Sequence, residues 1–403
     1  MGNKSADVII VGLGAHGSAS AWQLAKRGTA VIGFDAFTPP HSLGSSHGDT
    51  RVIREVYAEH PDYVPIVMRG YEIWRELEEA AADDFPETAR AGAGAFGELL
   101  RITGGITMGR PESDGIRGMK RSADEHDLEI EILDPSEIRK RWPQFEPRDN
   151  MIGAYDSRSG VLFPEKCVSA HLGQASKEGA DLHYNEPVRS WRPDGDGVRV
   201  FTDHGEYTAD QIVFSAGAWN PGFVSKLNLP FRLERQVLFW FQPAGSPEMF
   251  RPENSPNHSW EWSPGQSLYC QPDFGGGVKT AFHHEGEMFD DPKDLDRTVR
   301  ESDERSLRDA ISDIIPQLNG RVLRSAVCLY TDTPDRQFLL DWHPGHRNVI
   351  ICSPCSGHGF KFASVIGEMV ADMATKGDHG YDAPLIQIDR LLSDESQTEC
   401  PDD

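Results

Sequence analysis

Residues 7–11 (Asp-Val-Ile-Ile-Val) form an unbroken apolar run that ends on a glycine. An uninterrupted run of this length predicts a strand covered on both faces in a parallel sheet. Gly12-Leu13-Gly14-Ala15-His16-Gly17 follows directly, then a helical stretch over 18–27 that closes at Gly28, then a second strand over 30–34 ending in Asp35. Strand, G-x-G-x-x-G, helix, strand and terminal acid together predict a dinucleotide-binding βαβ unit. Gly12 allows the tight turn, Gly14 lets a diphosphate approach the backbone next to Ala15 and His16, and Gly17 lets helix and strand pack closely. Asp35 is expected to hydrogen-bond ribose hydroxyls.

Farther along, apolar spacing predicts helices over 63–82, 113–126, 164–179 and 296–315. Strands are expected within 97–107, and at 181–184, 212–215, 231–241, 278–282, 326–330 and 349–352. A hairpin over 188–192 and 197–202 turns at Asp194-Gly195-Asp196-Gly197, and a glycine turn at 356–359 opens a helix reaching 374. The fold class is therefore α/β: a discontinuous Rossmann-like nucleotide-binding domain (1–88, 158–226 and 326–392) plus an α+β substrate domain with a mostly antiparallel sheet (89–157 and 227–325). The acidic tail 393–403 is expected to be disordered.

Composition narrows the class. The 403 residues carry 64 acidic against 40 basic side chains, a formal charge of −24, with 38% hydrophobic residues. Such a surface repels polyanions, which excludes nucleic acid as a partner. No apolar run approaches the roughly 18 to 20 residues of a membrane helix, and residues 1–6 show no signal-peptide core. Six scattered cysteines make no disulfide framework, so a reducing cytoplasm is the expected location. Dense carboxylates, with arginine far outnumbering lysine, point to a salt-rich, halophilic cytosol.

Nucleotide contacts from residue 12, from 188–217 and from 356–360 describe an extended ligand, which favours FAD over a nicotinamide cofactor. Four segments then carry a resemblance: 47–54 (HGDTRVIR), 274–279 (FGGGVK), 326–331 (AVCLYT) and 356–362 (SGHGFKF). In this order they resemble the monomeric sarcosine oxidase / N-methyltryptophan oxidase family of D-amino-acid-oxidase-like flavoproteins, over nearly the whole chain. The resemblance implies an FAD joined covalently to Cys328 by a thioether at its 8-methyl carbon. It implies a substrate carboxylate held by Arg54 and Lys361, Arg51 close to the flavin ring, and Lys279 as a fixed charge that helps activate O2. His283, Tyr269 and Tyr330 match active-site residues. His47, Thr50, Val188, Ser215, Gly217, Gly357, Gly359 and Phe360 complete the expected cofactor contacts.

No metal is expected: His283-His284 has no acid or cysteine cluster at ligand spacing in the sequence. Cys352-Ser353-Pro354-Cys355 lacks the second pair of a zinc site and reads as structural. The implied activity is oxidation of a secondary amino acid by a monomer. The imine formed hydrolyses to an aldehyde and the primary amino acid, and O2 becomes H2O2. The alternatives are a flavin dehydrogenase with another acceptor, a nicotinamide enzyme, and a non-catalytic flavin-binding subunit.

Overall fold

The computed structural model describes residues 4–82 and 98–392. Strand Ser5–Val11 lies at the centre of an eight-stranded sheet, parallel to Val31–Phe34 on one side and Gly205–Phe214 on the other. Its apolar run is divided between two cores. Val8 and Ile10 pack toward helices Ala15–Ala25, Tyr63–Ala80, Pro164–Lys177 and Ala363–Lys376, whereas Ile9 and Val11 join Phe214, Val224 and Leu227 on the other face. Both faces are covered, which is why no polar residue interrupts it. Asp181–His183 extends one edge in parallel. Along Gly205–Phe214 the first half pairs with hairpin strand Gly197–Thr202 and the last residues with His346–Ser353. That shared edge brings the expected return segment and the C-terminal strand beside the first glycine turn.

The second sheet has nine strands. Arg232–Phe241 pairs with Val278–His283 and, over its whole length, with Val322–Asp332. The sheet continues through Gln266–Gln271, Asn257–Ser263, Gly105–Gly109 and Ile152–Asp156 to Glu131–Leu133. Every pairing is antiparallel except that of Asn257–Ser263 with Gly105–Gly109. Phe239, Phe241, Trp260, Leu268 and Val278 bury one face against Leu307, Ile311 and Ile314 of helix Glu301–Ile314. A small sheet places Gly160–Leu162 between Arg51–Ile53 and Leu100–Ile102.

Several sequence expectations change. The helix expected from 296 starts at Glu301, because the Asp296 and Thr298 carbonyls accept hydrogen bonds from the Arg235 guanidinium and hold that stretch against the sheet. Hairpin strands Asn257–Ser263 and Gln266–Gln271 were not anticipated. The domain division at 326 falls inside strand Val322–Asp332, so residues 326–332 belong to the antiparallel sheet. The division at 88/89, Gly97 of the expected 97–107 strands, and the tail 393–403 lie outside the described residues.

Candidate active site

The glycine turn is closed by backbone contacts that leave no room for side chains. Gly12 has φ +92°, and a Cβ there would stand 2.7 Å from the Ser215 carbonyl oxygen and the Ala216 Cα. A Cβ on Gly17 would strike the Gly12 carbonyl oxygen, itself bonded by Ser215 Oγ at 2.7 Å. Gly14 caps helix Ala15–Ala25, which has no acid in its first turn, leaving the positive end of the dipole for an anion. Asp35 first braces the turn: Oδ2 accepts from the Leu13 amide at 2.8 Å and Oδ1 from the Phe37 amide at 2.9 Å. His16, 3.4 Å from the Gly359 carbonyl, is pushed down to about 4 by burial and is neutral.

Loop 39–49 folds over this helix end, and the Ser46 hydroxyl accepts from the Ala15 amide. The loop is held from outside. Arg297 donates to the Ser42 and Leu43 carbonyls at 3.0 and 2.6 Å, Arg51 to the Ser45 carbonyl at 2.8 Å, and the Gly48 amide donates to Glu165 at 2.7 Å. A continuous cavity of about 2890 Å³ runs from this cradle to the antiparallel sheet. Gly12, Gly14, Ala15, His16, Asp35, Val188, Ser215, Gly217, Gly357, Gly359 and Phe360 all line it. Gly17, His47 and Thr50 do not line it. His47 Nε2 and Thr50 Oγ1 are nevertheless buried without partners, and burial, then Arg51 and Lys279, push His47 down to about 3. A helix-end anion seat, a glycine turn that a Cβ would fill, and a long two-sheet cavity fit an FAD.

At the sheet end, Cys328 is 2% exposed and lies mid-strand opposite Gln236. Cys328 lines the cavity, and the polar neighbours of its sulfur are distant: Ser45 O at 3.8 Å, and Leu329 O and Arg51 Nη2 each at 3.9 Å. Lys279 and Arg51 share one acceptor, the Thr50 carbonyl, at 2.7 and 2.8 Å. Burial, then the Arg51 charge, push the Lys279 ammonium well below its usual range. Lys279 stands beside Trp240 and Tyr269 rather than on the cavity wall itself.

Arg54 and Lys361 share another part of the wall. Arg54 Nη2 bonds both oxygens of Glu59, at 2.7 and 2.8 Å. Although burial opposes the Glu59 charge, Arg54, His358 and Lys361 hold its carboxyl well below the usual range. Lys361, 3% exposed, donates to the His358 carbonyl at 2.7 Å, and burial followed by the Arg54 charge pushes it down to about 7. His358 is fixed between the Tyr57 hydroxyl (2.6 Å) and the Arg336 carbonyl (3.1 Å). The sequence reading missed Tyr57 and Glu59; the only signal was an acid five residues after Arg54.

His283 Nδ1 lies 3.1 Å from the Tyr330 hydroxyl, and both residues, like Tyr269, line the cavity. His284, expected to have no acidic company, has two carboxylates: Nδ1 is 3.1 Å from Glu234 and 3.4 Å from Asp332. These acids are far from it in sequence and reach it only through strand pairing. The five described cysteines are free thiols; Cys352 is buried in the core and Cys355 lines the cavity.

A glycine cradle joined by one cavity to a cation-rich antiparallel sheet defines a flavin-dependent oxidoreductase. Residues 7–373 match the family model described as DAO, FAD dependent oxidoreductase. The chain is 41% identical over 391 residues to a monomeric sarcosine oxidase of Streptomyces avermitilis, covering 96% of this chain and 98% of that one. It is 34% identical over 386 residues to an N-methyl-L-tryptophan oxidase of Citrobacter koseri, covering 96% and 99%. NikD, an amino acid oxidase of nikkomycin biosynthesis, shares the fold in its open form, with a TM-score of 0.80 at 22% identity over 96% of this chain and 98% of that one. The chain belongs to the FAD-dependent oxidoreductase family, in its branch of monomeric sarcosine oxidases and N-methyl-L-tryptophan oxidases.

Proposed function

We propose that this protein oxidises small secondary (N-methyl) amino acids with FAD and O2, in the manner of a sarcosine oxidase. The imine product hydrolyses to an aldehyde and the primary amino acid, with H2O2 released. The observation that carries this reading is Glu59, a partly buried carboxylate flanked by Arg54 and Lys361 on the cavity wall. A pocket that stabilises an internal carboxylate so strongly has the chemistry to seat the carboxylate of an amino acid. Arg54 supplies a planar fork and Lys361 a point charge.

FAD, when bound, supplies the two-electron oxidation and the return of electrons to O2. The chain does the rest. The helix end at Gly14 and the turn at Gly12 hold the diphosphate. Cys328, lacking any close polar partner, is available for the thioether that the family resemblance implies. Arg54 and Lys361 orient the substrate by its carboxylate, and His283 with Tyr330 borders its amine. His283 is held well below its usual range by burial and then by His284, so it meets the amine as a neutral ring. The amine must bind neutral, which removes the need for a strong protein base. Arg51, on the cavity wall, offers positive charge for oxygen reduction, and Lys279 stands behind it on the shared Thr50 carbonyl, where it can take up a proton when negative charge develops in the cavity.

The cofactor half then comprises 1–88, 158–226 and the segment after strand Val322–Asp332, with the remainder forming the substrate half. The surroundings in keeping with this reading are a salt-rich cytosol, no nucleic acid, and a monomeric state. No described helix is long and apolar enough to cross a membrane.

The test is anaerobic addition of sarcosine, N-methylalanine, N-methyltryptophan, proline or pipecolate at molar salt. Bleaching of the flavin spectrum by at least one of them, followed by oxygen uptake on admitting air, is expected. No bleaching refutes the reading, and bleaching without oxygen uptake identifies a dehydrogenase. Acid precipitation should leave the yellow colour with the chain in wild type, and Cys328→Ser should release it.

A further inference from the structure

Strand Val278–His283 ends at His283, and the chain then adopts φ +58° at His284, an uncommon conformation for a non-glycine residue. The turn directs the His284 ring toward acids on two other strands. Glu234 comes from Arg232–Phe241 and Asp332 from Val322–Asp332, which are paired in register there. The three side chains are 7%, 4% and 8% exposed for His284, Glu234 and Asp332. Glu234 is itself fixed, its Oε1 accepting from the Gly286 amide at 2.6 Å and from Gln236 Nε2 at 2.8 Å. Asp332 Oδ1 has no partner.

Two buried carboxylates beside a neutral imidazole would leave charge unpaired in a low-dielectric wall. A proton on His284 removes most of that cost, and its Nδ1–H is shared between the two acids. Arg336, on the loop beside them, acts on both Glu234 and His284. Although burial opposes charge on His284, the hydrogen bonds it donates to Asp332 and Glu234 raise its pKa above the ordinary value. The same ring lines the cavity, with its centroid 4.3 Å from that of His283 and 5.1 Å from that of Tyr330.

We propose that His284 is a positioning residue: an imidazolium held by Glu234 and Asp332 whose charge adds to burial in keeping His283 neutral at the amine end of the cavity. The inference rests on the proposed function for the identity of that end. The charged and titratable groups facing the histidine pair are Glu234, Asp332, Tyr330 and Arg336 around His284, and Glu59, His358, Arg54 and Tyr330 around His283. Of these, Glu59 alone acts to raise His283, while His284 is the leading charge that lowers it. Neutral His283 keeps one ring nitrogen as donor and the other as acceptor, so it engages Tyr330 and the amine together.

The test is a nitrogen-15 NMR titration of the histidines in the full-length holoprotein at molar salt, with His283 assigned through His283→Gln. At pH 7, wild-type His284 is expected doubly protonated and His283 singly protonated. In His284→Gln the His283 midpoint should rise by at least about one pH unit, as loss of a cation at this separation requires. His284→Lys should restore the wild-type midpoint. Asp332→Asn, which leaves Glu234 in place, should lower the His284 midpoint. The acid limb of kcat/KM should follow His283 in each folded variant.

A neutral His284 at pH 7 in wild type overturns the proposal. So does a His283 midpoint unchanged in folded His284→Gln, or a His283 that stays neutral in both proteins to the lowest pH at which they remain folded. One equivalent of divalent metal, copurifying with wild type and lost in His284→Gln, overturns it too, by making the cluster a metal site. The titration needs no turnover, so a wild-type protein that oxidises no secondary amine refutes the proposed function separately.

Discussion

Lys361 sits at a pKa of about 7 instead of the ordinary 10.5, because burial and then the Arg54 charge disfavour its ammonium form. A substrate carboxylate needs that ammonium, so raising the pH is the perturbation. Below pH 7 the cation is present and affinity for a carboxylate should be flat. Above it, the protonated fraction falls tenfold per unit, to about 1% at pH 9, so binding should weaken about 100-fold, or about 2.7 kcal/mol. Binding at pH 8 must therefore take up close to one proton. Isothermal titration with a non-oxidisable carboxylate such as propionate, in two buffers of different ionisation enthalpy, measures both quantities. Lys361→Met should abolish the proton uptake and weaken binding at pH 6.5 by about 10- to 100-fold. An affinity independent of pH from 6.5 to 9, or no proton uptake at pH 8, would refute the reasoning. The same shift has a stability sign. The unfolded chain binds the extra proton between about pH 7 and 10.5, so this group makes stability rise with pH across that window.

Glu59→Gln removes the carboxylate that already occupies Arg54, so propionate should bind about tenfold tighter; unchanged or weaker binding by titration would show that Glu59 does not compete. Gly17→Ala forces a Cβ against the Gly12 carbonyl and to 2.5 Å from Ser215 Oγ, so flavin content should fall and the denaturant midpoint should drop by the equivalent of at least about 2 kcal/mol. A variant with wild-type flavin content and midpoint would contradict the packing argument. With a charge of −24, self-repulsion acts over about 30 Å at 0.01 M salt but about 3 Å at 1 M. The thermal midpoint by circular dichroism should therefore rise steeply with KCl, and full retention of structure after desalting would remove the case for a salt-adapted protein.

What could be read from the chain was local. The glycine turn, its helix and Asp35 are contiguous, and their steric demands fall on the residues that make them. Cys328, Arg54 and Lys361 were legible through short motifs, yet the bond from Arg54 to Glu59 depends on how the chain bends between them. Hairpin Asn257–Gln271 was missed although it alternates. His258, Trp260, Leu268 and Cys270 are buried, while Ser259, Glu261, Ser267 and Tyr269 are only half-buried. With few aliphatic residues the pattern resembled loop. The Glu234–His284–Asp332 cluster was out of reach because its members meet only through the pairing of Arg232–Phe241 with Val322–Asp332. The division at 326 failed for a related reason: a strand that contributes a residue to the cofactor cavity is built into the other sheet.

The segment covering the helix end has little regular structure, and its bare carbonyls at Ser42, Leu43, Ser45 and Thr50 are met by Arg297, Arg51 and Lys279. Two of those donors, Arg297 and Lys279, arrive from the far half of the polypeptide. The nucleotide-binding half is thus not a portable cassette. A chimera that grafts residues 1–82 onto a relative lacking lysine and arginine at these two places would inherit the glycine turn without the scaffold that shapes the loop above it.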